Sequence, residues 1–347
     1  MPGPPDGGSG MNATAERAGA DGTGRRSPRV VVGVDGSPGS QAALEYALVT
    51  AARRGAQVQV VSTFAIQLMW TGGYAPGVPE AGVARPGTER RARDMVVAAR
   101  TAPTVTAVPG AAEVHTEIIV SAVHAAQFLV EAAVDADLLV VGSRGRGAVR
   151  SALLGSVALH CVTHATTPVV VVHPTVPGHS GRGPVIAGID GSPLSRAVLT
   201  AAVEEAARLD AEVVAATTYE MADYWTSVST VLVPTNDEVR AGVRRGAEDL
   251  LRDVLSDYRV RTGLPAPLGR VSIAEGPAAD LLIDWARGAE ILVVGTHGHG
   301  ALRGLFLGSV ALTCAMHSPC PVLMVRPRDD EDGAVQSLPV EQATASV

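Results

Sequence analysis

Lysine is missing from this chain altogether: all 28 basic side chains among its 347 residues are arginine. We take this as compositional drift toward an arginine- and alanine-rich proteome, not as chemistry. Aromatic residues are almost as scarce, at 3%. Cores so poor in Phe, Tyr and Trp must be filled by Val, Ala and Leu, as in stacked α/β layers. A hydrophobic content of 46% is ample for that. No long basic run is present, the net charge is −7 and the pI is about 5.7, which argues against a nucleic-acid surface. The three cysteines (Cys161, Cys314, Cys320) are odd in number and have no framework spacing. That fits inert or buried thiols in a reducing cytoplasm rather than a disulfide scaffold. No apolar run reaches the ~18 residues of a membrane span. Residues 1–27 are rich in Gly, Pro and Ala and lack the apolar core of a signal segment. They, and the acidic stretch 328–347, are expected to be disordered tails.

What the chain has in plenty is repetition. Val-Val-Gly142-Ser143-Arg144-Gly145, nine residues, Gly155-Ser156 returns as Val-Val-Gly295-Thr296-His297-Gly298, nine residues, Gly308-Ser309. Near the start, Gly33-Val34-Asp35-Gly36-Ser37-Pro38 is echoed by Gly188-Ile189-Asp190-Gly191-Ser192-Pro193. In each copy a helical pattern follows, then a strand (57–64 and 212–219), a charged helix (about 89–100 and 237–256) and a third strand (115–120 and 270–274). Another helix leads to the strand that ends in the glycine motif, and a valine-rich strand closes each copy. Strands alternating with helices predict parallel sheets covered on both faces. Two homologous α/β domains are expected at 28–174 and 182–327, joined by the Pro- and Gly-rich residues 175–181.

Glycines at both ends of a strand-to-helix connection let the backbone approach a ligand closely. The helix start then aims free N–H groups and a positive dipole end at it, so a phosphate chain is the natural occupant. A plain tight loop is the bland alternative, which the duplicated nine-residue spacing disfavours. The motif is not a Walker P-loop, since no Gly-Lys-Ser/Thr follows. Asp35 and Asp190 lie just past the first strands, where open α/β sheets bind ligands. Two readings stand for them: acceptors for an amino or hydroxyl group of a ligand, or turn residues of Asp-Gly-Ser-Pro. Ser156 and Ser309 could donate to phosphate oxygens. The first loop carries Arg144, Arg146 and Arg150, and the second His297, His299 and Arg303. His297 and His299 have no acidic or cysteine companion, so metal binding there is disfavoured. His160 and His164 have a metal-compatible i, i+4 spacing but read better as a solvated or capped helix face. No Ser-His-Asp or Cys-His set can be assembled. Trp70, Trp225 and Trp285 read as loop or packing residues.

An aspartate ending the first strand, with Gly-x-x-Gly, nine residues and Gly-Ser before the last helix, resembles the universal stress protein family. The resemblance covers both halves and suggests a tandem member of the actinobacterial type. It implies two Rossmann-like domains related to adenine-nucleotide α-hydrolases, each a five-stranded parallel sheet in the order 3-2-1-4-5. It also implies the ATP-binding subgroup, with Mg²⁺ a possible companion. Carried over to this chain, the adenine side would use Asp35 and Thr63 in the first half and Asp190 and Thr218 in the second. The phosphate side would use Gly142, Arg144, Gly145, Gly155, Ser156 and Val157, and then Gly295, His297, Gly298, Gly308, Ser309 and Val310. Gly33 and Gly188 complete the cofactor-binding set. The last strands resemble those that pair subunits in the family, so homodimerisation through them, or pairing of the two halves of one chain, is expected. The implied function is a cytoplasmic nucleotide-dependent stress regulator with an unidentified protein partner. The alternatives are a slow ATP hydrolase and a dimerisation module with a vestigial pocket. One departure stands out: the second half opens the helix after its third strand with Gly276-Pro277, whereas the first has Val123-His124.

Because histidine titrates near ~6.5 when unperturbed and arginine does not titrate in this range, the second loop should hold a triphosphate more weakly at pH 8 than at pH 6. Calorimetric titration of each site, with the glycines of the other replaced, checks this. A flat pH response in the second site would refute it.

Overall fold

The structure is a computed structural model that describes residues 27–64, 81–145, 154–174, 183–220, 235–298 and 307–326. Both expected tails, apart from residue 27, lie outside the described residues. So do the joining segment 175–181 and Arg146, Arg150, His299, Arg303, Trp70 and Trp225. The first half runs β1 (Arg29–Gly33), α1 (Pro38–Arg54), β2 (Gln57–Thr63), α2 (Ala81–Thr101), a single turn α3 (Pro103–Thr106), β3 (Thr116–Ser121), α4 (Ala125–Ala132), β4 (Leu138–Gly142), α5 (Ser156–His164) and β5 (Val169–Val172). The second runs β6 (Val185–Gly188), α6 (Leu194–Leu209), β7 (Val213–Tyr219), α7 (Asn236–Thr262), β8 (Gly269–Glu275), α8 (Ala278–Trp285), β9 (Ile291–Gly295), α9 (Ser309–His317) and β10 (Val322–Val325).

Local chemistry sets the helix ends. Ser37 caps α1 by accepting the N–H of Ser40, with Pro38 in the first helical turn. Thr235 and Glu238 form a reciprocal capping box at the start of α7, which then runs until Gly263 turns left-handed at φ 69°. The charged helix is therefore longer than the expected range of about 237–256, running through Asp257, Arg259 and Arg261 to the stop that Gly263 supplies.

The strands form one sheet in the order β3-β2-β1-β4-β5-β10-β9-β6-β7-β8. Each half thus has the 3-2-1-4-5 order that the family resemblance implied, and every pairing within a half is parallel. Continuous apolar strands are what burial on both faces requires. Val30 and Val32 of β1 face the layer of α1, α2, α6 and α7, while Val31 faces that of α4, α5, α8 and α9. The core is Val, Ala and Leu, as the aromatic scarcity demanded: Ala43, Ala47 and Ala51 let α1 lie close on the sheet, and Ala202 and Ala206 do the same for α6. All three cysteines are buried. Burial pushes the thiols up, Cys161 and Cys314 to about 12 and Cys320 to about 11, so none is poised to react. No helix among the described residues is long and apolar enough to cross a membrane.

The two halves meet at an antiparallel seam in which Val171, Val170 and Val169 of β5 pair with Val322, Leu323 and Met324 of β10. Each last strand is flanked on both sides, β5 by β4 and β10 by β9. Of the two expected pairings, the structure therefore has the one within the chain. With β5 and β10 each flanked on both sides, a homodimer through the last strands would have to displace this pairing. On the α1/α6 side, Arg54 reaches across to Glu205, which also accepts from Arg208 at 3.0 Å. Val170 is 1% exposed at this seam. Val170→Asp would bury an unpaired carboxylate, and a loss of about 3–5 kcal/mol in urea unfolding is expected. An unchanged urea midpoint would place the joint elsewhere.

Candidate functional site

β1 lies beside β4, and β6 beside β9. The aspartate that follows the first strand and the glycine loop that follows the fourth therefore share one crevice in each half. In the first half, Asp35 Oδ1 accepts the N–H of Ser37 at 2.9 Å, while Ser40 Oγ accepts those of Asp35 and Gly36 at 3.3 and 3.2 Å. Gly36 sits at φ 84° and Gly191 at φ 81°, a left-handed turn that favours glycine. The second half repeats the arrangement: Ser192 N–H donates to Asp190 Oδ1 at 2.9 Å, and Ser195 Oγ accepts from Asp190 and Gly191 at 3.1 and 3.0 Å. Ser195 also donates to Asp190 Oδ1 at 2.9 Å. The turn reading of these aspartates thus holds for one oxygen. The other oxygen, Oδ2, lies against the glycine loop. A β-carbon built on Gly145 would stand 2.6 Å from Asp35 Oδ2, and one on Gly298 2.6 Å from Asp190 Oδ2. These glycines are what let each carboxylate touch its loop.

The loop then runs to a helix start of the kind the spacing predicts. Gly155 and Gly308 occupy the N-cap positions of α5 and α9 with nearly identical backbone angles (φ −63°, ψ 148° and φ −61°, ψ 148°), and no side chain caps either helix. Each cap is tied back to its loop, Gly155 N–H to Ser143 O and Gly308 N–H to Thr296 O, both at 2.8 Å. Ser156 and Ser309 stand exposed in the first turns, with Val157 and Val310 half-buried behind them. Uncapped N–H groups, a dipole end and a serine hydroxyl together suit an anion.

In the second half these parts line a cavity of about 570 Å³, within the usual range for small-ligand sites. Gly188, Asp190, Thr218, Gly295, His297, Gly298, Gly308, Ser309 and Val310 all border it, so every candidate residue of this half converges there. Its apolar side is built by Leu194, Val198, Ala216, Leu282 and Val294. His297 is half-buried, and its Nδ1 lies 2.9 Å from Thr296 Oγ1. In the first half, Thr63 ends β2 beside Ser121 of β3. Gly33 admits Leu129 of α4, whose Cδ1 would be 2.8 Å from an added β-carbon; Gly188 admits Leu282 of α8 in the same way, at 3.0 Å. Arg144 is exposed.

Two contributors were missed in the sequence. Ser40 and Ser195 brace the aspartate turns, and the repeat signalled them, since Asp-Gly-Ser-Pro-x-Ser occurs in both halves. Residues 39 and 194 differ between the halves, and this difference shapes the loops as described below. The Gly276-Pro277 departure has little effect: Pro277 and His124 take similar backbone angles (φ −57°, ψ 122° and φ −59°, ψ 121°) before helices of equal length. His160 and His164 stack at 4.0 Å between ring centroids, with His164 Nδ1 3.0 Å from the carbonyl of His160. Burial and the neighbouring His164 hold His160 below the ordinary histidine range. Among the described residues no group of three or more His, Cys, Asp or Glu is placed to hold a metal ion by itself.

The model of the universal stress protein family matches this sequence twice, at residues 27–173 and 181–326. A universal stress protein of Mycobacterium tuberculosis is 32% identical over 306 residues, covering 87% of this chain and 98% of its own length. One from Mycolicibacterium smegmatis is 33% identical over 306 residues, covering 86% and 97%. Among solved structures, a universal stress protein from Archaeoglobus fulgidus aligns over 87% of this chain and 99% of its own, with a TM-score of 0.58 and 16% identity, which speaks to the fold. A universal stress protein solved in complex with cAMP matches 42% of this chain and 97% of its own at 30% identity, with a TM-score of 0.30.

The halves differ where the loop meets the first helix. A β-carbon on Gly142 would stand 2.6 Å from the backbone C and O of Gly39, and one on Gly39 2.5 Å from the carbonyl O of Arg144. The first loop therefore packs backbone to backbone on α1, and Ser37 Oγ donates to the Arg144 carbonyl at 3.4 Å. In the second half Leu194 replaces Gly39, and a β-carbon on Gly295 would press chiefly on its side chain, at 2.5 Å from Cδ2, with the nearest backbone atom, the carbonyl O of His297, at 3.2 Å. Gly142→Ala should therefore cost about 1–3 kcal/mol, because backbone must move. Gly295→Ala should cost clearly less, because a leucine side chain can turn aside. Urea unfolding of the two variants checks the order, and equal losses would contradict it.

Proposed function

The chain belongs to the universal stress protein family, and on that premise we propose that it binds an adenine nucleotide, ATP, in one crevice per half. In this reading it acts as a nucleotide-dependent stress-response regulator in the cytoplasm rather than as a fast enzyme. The observation that carries this reading is the wall of the second-half cavity. There Gly298 lies against the Asp190 carboxylate, and the uncapped start of α9 presents Ser309 a short way along the same surface.

The chemistry of the wall divides as a nucleotide does. The apolar side formed by Leu194, Val198, Ala216 and Leu282 suits a base, and Asp190 and Thr218 at its border supply acceptors for an amino or ribose hydroxyl group. The loop from Gly295 to Gly298 and the start of α9 suit the phosphates. Amides fixed before binding cost little to organise around an anion. Bound ATP would supply a polyanion that brings Mg²⁺ with it, held chiefly by phosphate oxygens and water. The first half offers the same constellation in Asp35, Thr63, Gly145 and Ser156.

Slow turnover follows from how the carboxylate is used. Asp190 Oδ1 already accepts from Ser192 and Ser195, which holds the group in a turn rather than aiming it at a water molecule. An efficient phosphoryl-transfer site needs a positioned nucleophile and charge stabilisation beyond the cradle. As a regulator, the protein would pass nucleotide occupancy to a partner protein through a state that ATP favours, which requires different affinities for the two states.

The test is to purify the chain, denature it, identify any released nucleotide, and then incubate the intact protein with ATP while following ADP. Bound ATP with little ADP formed is the expected result. Rapid ADP formation would favour a hydrolase, and a protein that comes empty and ignores ATP would leave a pairing module with a vestigial pocket.

A further inference from the structure

The antiparallel seam has a geometric consequence. Because β5 and β10 run in opposite directions, the carboxyl ends of the strands, and with them the two crevices, open at opposite ends of the sheet. Each glycine-motif helix runs back against its own sheet. α5 and α9 have nine residues each and are about 13 Å long, so each starts at its own crevice and finishes toward the other half's end of the sheet.

The residue leaving each last strand meets that finish. His173, directly after β5, places Nε2 3.2 Å from the carbonyl of Met316 in the last turn of α9. Since a carbonyl can only accept, Nε2 carries the proton, and Nδ1 is buried without a partner. Arg326, directly after β10, donates from its guanidinium to the carbonyls of Val162, at 3.1 Å, and Thr163 in the last turn of α5. The same strand ends hold the glycine loops: Ser143 N–H donates to Val172 O at 2.7 Å, and Thr296 N–H to Val325 O at 2.9 Å. Each loop therefore hangs from the residue next to the one that caps the other half's motif helix.

We propose that the two crevices are coupled through these crossed caps: Arg326 of the second half is a positioning residue for the phosphate helix α5 of the first, and His173 of the first half for α9 of the second. This inference rests on the reading that both crevices take a nucleotide. A cation or donor at the carbonyl end of a helix complements its dipole and fixes its last turn, and the fixed helix presents its amides to an anion at the other end. The coupling is unequal. Arg326 brings a permanent charge, whereas burial holds the His173 imidazole below the ordinary histidine range, against the opposing pull of the Met316 carbonyl, and it contributes a neutral donor.

The test uses the full chain with one crevice blocked at a time, Ser309→Glu to leave the first and Ser156→Glu to leave the second, and titrates ATP with Mg²⁺ by calorimetry. Arg326→Met should weaken binding in the first crevice about three- to tenfold and leave the second, in its own half, within about twofold. Arg326→Lys should restore most of the loss. His173→Leu should do the reverse, weakening the second crevice and sparing the first. Equal losses in both crevices, or a loss confined to the mutated half, would overturn the proposal. Hydrogen exchange without nucleotide supplies an independent arm. Arg326→Met should speed exchange in α5 but not in α9, and an unchanged α5 would also overturn it. Should the parent chain bind no ATP, that failure belongs to the nucleotide reading, and the exchange arm still decides whether the caps cross.

Discussion

Three residue pairs between β5 and β10 govern the shape of this molecule. They are antiparallel in a sheet whose other pairings are parallel, and they turn two similar five-stranded halves into one continuous ladder. The valine-rich last strands would be sticky edges on their own. Pairing them within the chain removes that hazard and buries Val169 to Val172 and Val322 to Val325 on both faces. It also fixes the orientation of everything else, including which helix finishes beside which strand end. The crossing of His173 and Arg326 into the opposite half follows from that reversal.

The candidate site depends on a different constraint, the distance at which backbone can approach backbone or carboxylate. Gly145 and Gly298 stand where any β-carbon would press into an aspartate, and Gly142 where it would press into helix α1. These are contacts below normal van der Waals separation for any other residue, so the glycine identity is set by space and not by flexibility. The cradle costs little to organise because its amides are held by a short ladder of bonds, from Val325 to Thr296 to Gly308, before any ligand arrives. The universal stress protein family supplies the scaffold, and this chain's own substitutions, Gly39 against Leu194 and Arg144 against His297, make its two crevices chemically unequal.

Much of this was legible in the sequence. Strand and helix order follow from apolar runs such as Arg29–Gly33 alternating with helical patterns, and the nine-residue spacing located both helix starts correctly. The 3-2-1-4-5 order came through the family resemblance, because periodicity does not say which strands are neighbours. The length of α7 was underestimated although its charged pattern runs on through Asp257, Arg259 and Arg261 to the Gly263 stop. The bracing serines were overlooked because Ser in Asp-Gly-Ser-Pro-x-Ser passes for ordinary turn composition.

By itself the sequence determined that there are two copies of one α/β unit, that their cores are aliphatic, and that glycine, aspartate and serine recur where strands give way to helices. Those are matters of local pattern, and periodicity and spacing carry them. Only the tertiary structure decided that the copies share a sheet, that both faces of the last strands' edges are used within the chain, and that Asp190 touches Gly298. It alone set Arg326 on the end of a helix 163 residues earlier in the chain. Contacts between distant segments depend on strand neighbours and direction, and a linear pattern of apolar and polar residues does not encode either.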